Sequence, residues 1–481
     1  MSITKKLATD TVAYGVSSIL ARIINFLFGF LIIKFISPAE FGTYTSFYAY
    51  AGFILVVLTH GMETAYFRFV NKEESKETAF STAFFSIFFA VIFFILITYL
   101  FQKPIAAYVK EPTFYVQLFV WMMAFDVLAA IPFASLRKQG RPMVFAGLKI
   151  LNILFFILFN LFFFLILPKL NFTFNVTNVS YIFISNLVAS ILTFIIILFQ
   201  FRQLKFSIDF SIYKKMLWYA MPIMLVGFAG MINEVLDRII MTRLLPGNDL
   251  ENKIQLGIYG FNYKFAMIIS MFLQAYRFAA EPLFFKNADK ADNKQMLANT
   301  MKYYTICVCC IFLAITLFMP FIQFVFSKYA PSSATYFKGA GIVPILLMAN
   351  IFLGIYFNIS TWYKITDKTY IGAIISIVGA IVTIVMNIIL VPKMGYFGAA
   401  WATLACYATM LIIGYITEQK YYPIPYDYKR ILLYLIVAIG FYLVLQYLVL
   451  PVHFSLLVNT IIALFLLLSY VFIAYYLEKK R

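Results

Sequence analysis

The sequence predicts an all-α integral membrane protein of about fourteen transmembrane helices, and three observations carry that prediction. Of the 481 residues, 63% are hydrophobic and only 12% are charged, and the mean hydropathy is +0.90. A water-soluble chain of this size could not keep so much apolar side chain off its surface. The apolar residues also fall in repeated runs of about 20, the length that crosses the hydrocarbon core as a helix. Short connections separate the runs and leave no room for a soluble catalytic domain.

Taken in order, the runs place helices near 12–35, 42–61, 79–101, 114–135, 143–167, 179–201, 216–240, 255–283, 299–323, 339–361, 369–391, 396–417, 430–450 and 454–476. Lys5 and Lys6 precede the first run, and Ser37-Pro38-Ala39 after it has the small residues of a signal-cleavage site. The run is longer than a signal core and is interrupted by Arg22 and Asn25, so it reads as a retained span. Basic residues set the orientation. With the N-terminus inside, twenty-four of the 38 Lys and Arg fall on cytoplasmic segments and ten on outer ones. The remaining four, Arg22, Lys149, Lys264 and Arg277, lie within spans. An even helix number puts both termini in the cytoplasm. The net charge of +18 is thereby explained by cytoplasmic loops, and no nucleic-acid partner is implied. Cys307, Cys309, Cys310 and Cys406 sit in apolar runs far in sequence from the two histidines, His60 and His453. They read as packing residues, and neither a metal nor a cofactor is expected.

The chain repeats itself. Gly42-Thr43-Tyr44 with Tyr48 opens helix 2, as Gly257-Ile258-Tyr259 with Tyr263 opens helix 8. Asn160 precedes Leu167-Pro168 near the end of helix 5, as Asn387 precedes Val391-Pro392 near the end of helix 11. Helices 1–6 and 7–12 therefore read as two parallel six-helix bundles, residues 1–205 and 206–425, with helices 13 and 14 appended in 426–481. Two such halves usually enclose a central substrate site and rock about it.

Charges inside spans are the sharpest functional signal, because each costs at least about 2.5 kcal/mol at the bilayer centre. Helix 1 stacks Tyr14, Ser18, Arg22, Asn25 and Gly29 on one face at three- and four-residue steps. Arg22 lies roughly 16 Å deep at 1.5 Å per residue. Helix 8 aligns Tyr263, Met267, Ser270, Gln274, Arg277 and Glu281, with Lys264 beside them. Helix 7 carries Gly227, Gly230, Glu234, Asp237 and Arg238 on one side. Arg277, Arg22, Lys264 and Arg238 would form a ladder of cations from inside to outside, with Arg68 at the cytoplasmic mouth. Arg and Lys bind phosphate well, so such a cavity suits a lipid pyrophosphate. The same residues admit plainer readings: Arg277 pairing with Glu281, Arg238 with Asp237 or Glu234, Asp126 with Lys149, and Arg68 marking the membrane boundary. Arg22 and Lys264 have no acidic neighbour at pairing distance on their own helices. Tyr14, Tyr44, Tyr48, Tyr259 and Tyr263 could meet sugar rings.

Several segments resemble the polysaccharide-transporter branch of the multidrug/oligosaccharidyl-lipid/polysaccharide exporter superfamily. They are Ser37-Pro38-Ala39-Glu40-Phe41-Gly42-Thr43-Tyr44, Gly61 through Arg68, Tyr219-Ala220-Met221-Pro222, Asp237-Arg238, Gly257-Ile258-Tyr259 and Pro392-Lys393-Met394-Gly395-Tyr396-Phe397-Gly398-Ala399-Ala400. The resemblance covers essentially the whole chain. It implies two six-helix lobes forming a V-shaped cavity, with an extra helical pair like that of some lipid-flipping members. It also implies residence in the bacterial inner membrane and export of a polyprenyl-pyrophosphate-linked O-antigen, capsule or exopolysaccharide unit by alternating access. The expected substrate-binding residues are Arg22, Lys264, Arg277, Arg238, Arg68, Asn25, Tyr14, Tyr263 and Gln274. Asp126, Glu234 and Asp237 are candidate ion-coupling residues. Expected partners are the lipid-linked oligosaccharide, membrane lipids and glycan polymerase machinery, and no covalent catalysis is expected. Two other functions stay open: a cation-coupled multidrug exporter, which would favour an acidic cavity, and a membrane-embedded glycan polymerase or ligase, which usually needs a large outer loop.

Overall fold

The computed structural model describes residues 20, 23–70, 76–170, 176–201, 207–286 and 293–479. Every regular element among them is helical. Thirteen helices among the described residues are long and apolar enough to span a membrane. They are α2 (Pro38–Phe69), α3 (Thr78–Leu100), α4 (Thr113–Lys138), α5 (Pro142–Leu170), α6 (Asn178–Phe199), α7 (Phe210–Leu244), α8 (Asp249–Glu281), α9 (Asn293–Leu317), α10 (Ser333–Ile365), α11 (Thr369–Met394), α12 (Tyr396–Tyr421), α13 (Tyr428–Val452) and α14 (Leu456–Lys479). A shorter apolar helix, α1 (Ile23–Lys34), precedes them. The protein is thus a multi-pass membrane protein, and α1 completes the expected count of about fourteen. Large apolar side chains on its outside, such as Phe93, Leu100 and Phe465 at 64%, 76% and 68% exposure, face what must be lipid rather than water.

Local sequence explains where these helices start and break. Ser37-Pro38-Ala39-Glu40, the stretch that mimics a cleavage site, is a capping box. Glu40 N–H donates to Ser37 Oγ at 3.3 Å, Ser37 N–H donates to Glu40 Oε2 at 2.9 Å, and Pro38 takes the first turn. Within α2 the ladder is interrupted at His60 and Gly61, both left-handed. The ninth span was expected over 299–323; it ends instead at Leu317, and a separate helix, Met319–Tyr329, follows. Pro320 is the reason, since it lacks an N–H and opens the second helix in its first turn. The Pro392–Ala400 motif is a tight joint between α11 and α12. Gly395 is left-handed at φ 58°, and a Cβ on Gly398 would lie 2.4 Å from the Leu390 carbonyl oxygen.

Packing divides the chain into two compact units. Unit 1 is Met1–Val235 with Asn248–Lys253, and unit 2 is Leu236–Gly247 with Ile254–Arg481. In unit 1, α6 packs on α4 and α5, and Phe47 of α2 meets Phe119 and Phe183 with ring centroids 5.2 Å apart. In unit 2, α12 packs on α10 and α11, while α13 and α14 both pack on α9. That last contact is fastened by charge. The Lys302 ammonium of α9, 3% exposed, pairs with Glu478 of α14. Glu478 also accepts from Arg430 Nη1 at 3.2 Å and from Tyr434 Oη at 2.7 Å, both on α13.

The sequence repeat has a physical counterpart in each unit. Tyr44 and Tyr48 pair ring to ring at 4.5 Å, and Tyr259 and Tyr263 do so at 5.7 Å. Asn160 and Asn387 are both fully buried. Each donates its side-chain amide to the carbonyl four residues back, at 2.7 and 2.8 Å. A back-bonded amide is a local device for a polar side chain inside an apolar helix.

Candidate functional site

In unit 2, α7 and α8 bring four of the expected residues together. Asp237 and Arg238 are buried, at 3% and 9% exposure. The Asp237 carboxylate accepts from the Arg238 backbone N–H at 2.8 Å and lies 3.3 Å from Arg238 Nη1. Tyr259 donates its hydroxyl to the same carboxylate. The guanidinium of Arg238 sits 4.3 Å from the centroid of the Tyr263 ring, a geometry that favours the cation through the ring quadrupole. Lys264, half-buried, is close enough for Arg238 to act on it electrostatically. Two cations therefore lie close to one another, one of them paired with Asp237, and their mutual repulsion falls when an anion enters.

One turn-stack further along α8, polar side chains fasten it to α10. Ser270 donates to Asn350 Oδ1 at 2.5 Å and Tyr276 donates to Asn358. The Arg277 guanidinium is 3.1 Å from Glu281 and 4.6 Å from the Phe357 ring centroid. Lys364 of α10 reaches the same Glu281 oxygen at 2.9 Å. The pairings Arg238–Asp237 and Arg277–Glu281, each open as a plainer reading, are thus formed. In the second, one carboxylate serves two half-buried cations. Gln274 is half-buried between the two clusters along α8.

Unit 1 holds the other expected residues in separate places. Arg22 and Tyr14 lie outside the described residues, and Asn25 is exposed on α1. Arg68 is exposed and lies 4.2 Å from the Tyr219 ring centroid. Glu234 is exposed on α7. Asp126 is exposed and accepts from Ser190 at 2.6 Å, while Lys149 lies 4.1 Å from the Phe133 ring centroid. Lys149 acts electrostatically on Asp126 and also on Glu63, and Glu63 accepts from Arg137 at 3.0 Å.

Sequence reasoning passed over a polar stripe on α6. Asn186, Ser190 and Thr193 recur at helical spacing, and they bond Tyr48 of α2, Asp126 of α4 and Asn152 of α5 in turn. Their four- and three-residue steps within an apolar run were the available signal. A second cluster had none, because its members are remote in sequence. Thr43 donates to Glu111 at 2.6 Å, Lys253 pairs with Glu111 at 2.8 Å, and Lys110 pairs with Asp249 at 2.5 Å.

Comparison with known proteins places this architecture. A family model described as "Polysaccharide biosynthesis protein" matches residues 7–288, and the MatE model matches residues 222–389. Among solved structures, the lipid II flippase MurJ in an inward closed conformation is similar, with a TM-score of 0.74 at 16% identity, covering 98% of this chain and 100% of that one. An inward-facing multidrug resistance MATE family transporter of the MOP superfamily gives 0.65 at 15% identity, covering 86% and 97%. A MOP superfamily transporter from Pyrococcus furiosus, described as having a binding pocket of reverse polarity, gives 0.57 at 14% identity, covering 86% and 95%. No curated protein matches by sequence. At these identities the structural likeness is one of fold.

Proposed function

We propose, on the premise that the chain belongs to the polysaccharide biosynthesis protein family, that it is a flippase for a polyprenyl-pyrophosphate-linked oligosaccharide such as an O-antigen, capsule or exopolysaccharide unit. It resides in the bacterial inner membrane with both termini in the cytoplasm, and residues 1–205 and 206–425 act as the moving lobes. The observation that carries this reading is the cation pair Arg238 and Lys264, gathered around Tyr263 within the spans of α7 and α8. Charges within spans are costly unless opposite charge answers them; Asp237 pairs with Arg238, and a pyrophosphate would bring further negative charge to the two cations. Arg22, Arg277 and Arg68 extend the cationic path, Asn25, Gln274, Tyr14 and Tyr263 offer hydrogen bonds and ring faces to the glycan, and Asp126, Glu234 and Asp237 serve any coupled ion. Two elements of this reading have support from outside the site: the family description, and the fold shared with a lipid II flippase.

The substrate enters from the inner leaflet with its isoprenoid tail in lipid and its head against the α7–α8 cations. Arg binds the pyrophosphate through paired donors and Lys through its point charge. Sugar hydroxyls stay solvated, so the desolvation cost of crossing the bilayer is avoided. No bond is made or broken.

The test is translocation of a lipid-linked oligosaccharide in proteoliposomes. Replacing Lys264 by Ala removes a charge-assisted contact, so the rate is expected to fall about tenfold or more, with Lys264→Arg recovering most of it. Unchanged rates in Lys264→Ala and Arg22→Ala at matched protein levels would sink the assignment. A second reading, cation-coupled drug export, draws on the fold shared with MATE transporters. Proton- or sodium-driven efflux of a cationic dye, without glycolipid translocation, would favour it.

A further inference from the structure

One polar device recurs in both units. In unit 1, Glu63 of α2 accepts from Arg137 of α4 at 3.0 Å. In unit 2, Glu281 of α8 accepts from Lys364 of α10 at 2.9 Å. The repeat matches α8 to α2 and α10 to α4, and each α4 or α10 cation lies three residues before a left-handed turn residue, Gly140 at φ 65° and Asp367 at φ 57°. An ion pair between these two spans is therefore part of the scaffold common to both units. The charge around it differs. In unit 1, Lys149 acts electrostatically on both Glu63 and Asp126, so two cations meet two carboxylates. In unit 2, Arg277 joins Lys364 on the same Glu281, so two cations meet one. The turn beyond Lys364 adds one acid and one base, Asp367 and Lys368, and leaves that surplus as it is.

The donors of unit 2 converge on one atom. Arg277 Nε lies 3.2 Å and Nη2 3.1 Å from Glu281 Oε1, and Lys364 Nζ lies 2.9 Å from that same oxygen. The Phe357 ring, its centroid 4.6 Å from the guanidinium carbon, steadies Arg277. Ser270 with Asn350 and Tyr276 with Asn358 hold α8 to α10, so both cations sit on helices already fastened together. A planar guanidinium and an ammonium meeting at one anionic oxygen is the arrangement that grips a phosphoryl group. All three side chains are only half-buried, so a ligand can reach them. Lys364 alone completes the scaffold pair, and Arg277 supplies the surplus charge.

We propose that Arg277 and Lys364 form a phosphoryl-binding station and that Glu281 is its resident counter-anion, displaced when a more highly charged anion takes the two cations. Lys364 is then a further substrate-binding residue and Glu281 a specificity residue; the identity of the lipid rests on the flippase reading. Thirteen residues separate Lys264 from Arg277 along α8, about 20 Å at 1.5 Å per residue. One pyrophosphate cannot span that length, so the station is distinct from the Arg238–Lys264 cations. The tethered carboxylate sets a threshold. An incoming anion must displace it, and apparent affinity falls with the fraction of molecules in which Glu281 holds the cations. A singly charged phosphodiester brings no more charge than the carboxylate it displaces. A lipid pyrophosphate brings more, and its two phosphoryl groups can engage both cations at once. Ordinary anionic phospholipids are thereby kept off.

Native mass spectrometry of the full-length protein in mild detergent tests this, with undecaprenyl pyrophosphate and phosphatidylglycerol titrated separately. Every chain carries Lys264→Ala, so that the other cations contribute less to retention. With no further change, the pyrophosphate lipid is expected to be retained about tenfold more strongly than phosphatidylglycerol. Lys364→Gln should lower pyrophosphate retention about tenfold, through loss of one charge-assisted contact. Glu281→Gln should act in the opposite sense, raising phosphatidylglycerol retention about threefold or more and narrowing the preference. An ion pair with a structural role alone gives no such gain. If Glu281→Gln does not fold, Lys364→Gln decides alone, since it leaves Glu281 paired one to one with Arg277. Equal retention of the two lipids before further change, unchanged pyrophosphate retention in Lys364→Gln, or no gain of phosphatidylglycerol in a folded Glu281→Gln overturns the proposal. If the wild type translocates no glycolipid while these shifts are found, the flippase reading fails and the phosphoryl station stands.

Discussion

At the scale of single residues, the ionisable groups within the spans are held by specific neighbours rather than scattered. Asp237 accepts from Tyr259 and from Arg238, so its buried charge is met by one donor from α8 and one from α7. Tyr259→Phe deletes the hydroxyl and leaves that carboxylate short of a donor. The expected cost is about 1–3 kcal/mol, read as a lower thermal unfolding midpoint in detergent. Arg238→Lys should be more disruptive than charge conservation suggests. The ammonium keeps the charge but lacks the planar face that lies over Tyr263, and glycolipid translocation is expected to fall with Arg238→Lys while protein levels hold. The sequence singled out Lys264 by its position within a span, Tyr263 by its place on the face of helix 8 and Arg238 as a charge on one side of helix 7. It did not indicate that Tyr259 completes the Asp237 shell, because that bond joins two helices.

Elements show how short motifs do structural work. The capping box at Ser37 and Glu40 starts α2, and the Gly395–Gly398 joint sets α12 against α11. Gly398→Ala would press a methyl group against the Leu390 carbonyl at 2.4 Å. Neither backbone can give way without opening the joint, so a loss of about 1–3 kcal/mol is expected, measurable as a lowered unfolding temperature. Helix positions were legible among the described residues, since most apolar runs are long enough to cross a bilayer. Boundaries moved where a proline or cap competed with hydropathy, as at Pro320. The polar side of α8 carried a double meaning. Its spacing announced one face, but Ser270 and Tyr276 spend that face on α10, and only Arg277 and Glu281 combine packing with a shared pair of cations.

For the whole molecule, the appended helices are anchored to α9 by a partly buried ion network centred on Glu478. Removing one partner of such a pair strands a charge, at about 3–5 kcal/mol. Glu478→Gln, which leaves the buried Lys302 ammonium without its carboxylate, is therefore expected to destabilise strongly, and adding Lys302→Met to recover much of the loss, as a thermal-shift cycle would reveal. Transport direction offers a second check at this scale. Moving one negative charge outward from an inside-negative vesicle is favoured by about 2.3 kcal/mol per 100 mV. An imposed inside-negative potential should accelerate glycolipid translocation, and collapse of the potential with valinomycin and balanced potassium should remove the acceleration.

The sequence by itself determined the solvent, the approximate number of spans and the paired motifs of the repeat. Those properties are local: hydropathy, period and position along a helix act within about twenty residues. Tertiary structure alone decided which charges remote in sequence meet. Glu281 joins Lys364 across 83 positions, Glu478 joins Lys302 and Arg430 from the far end of the chain, and Phe201 completes a ring stack begun at Phe80. Such contacts depend on how helices are rotated and paired, and each rotation is set by the packing of many apolar side chains at once.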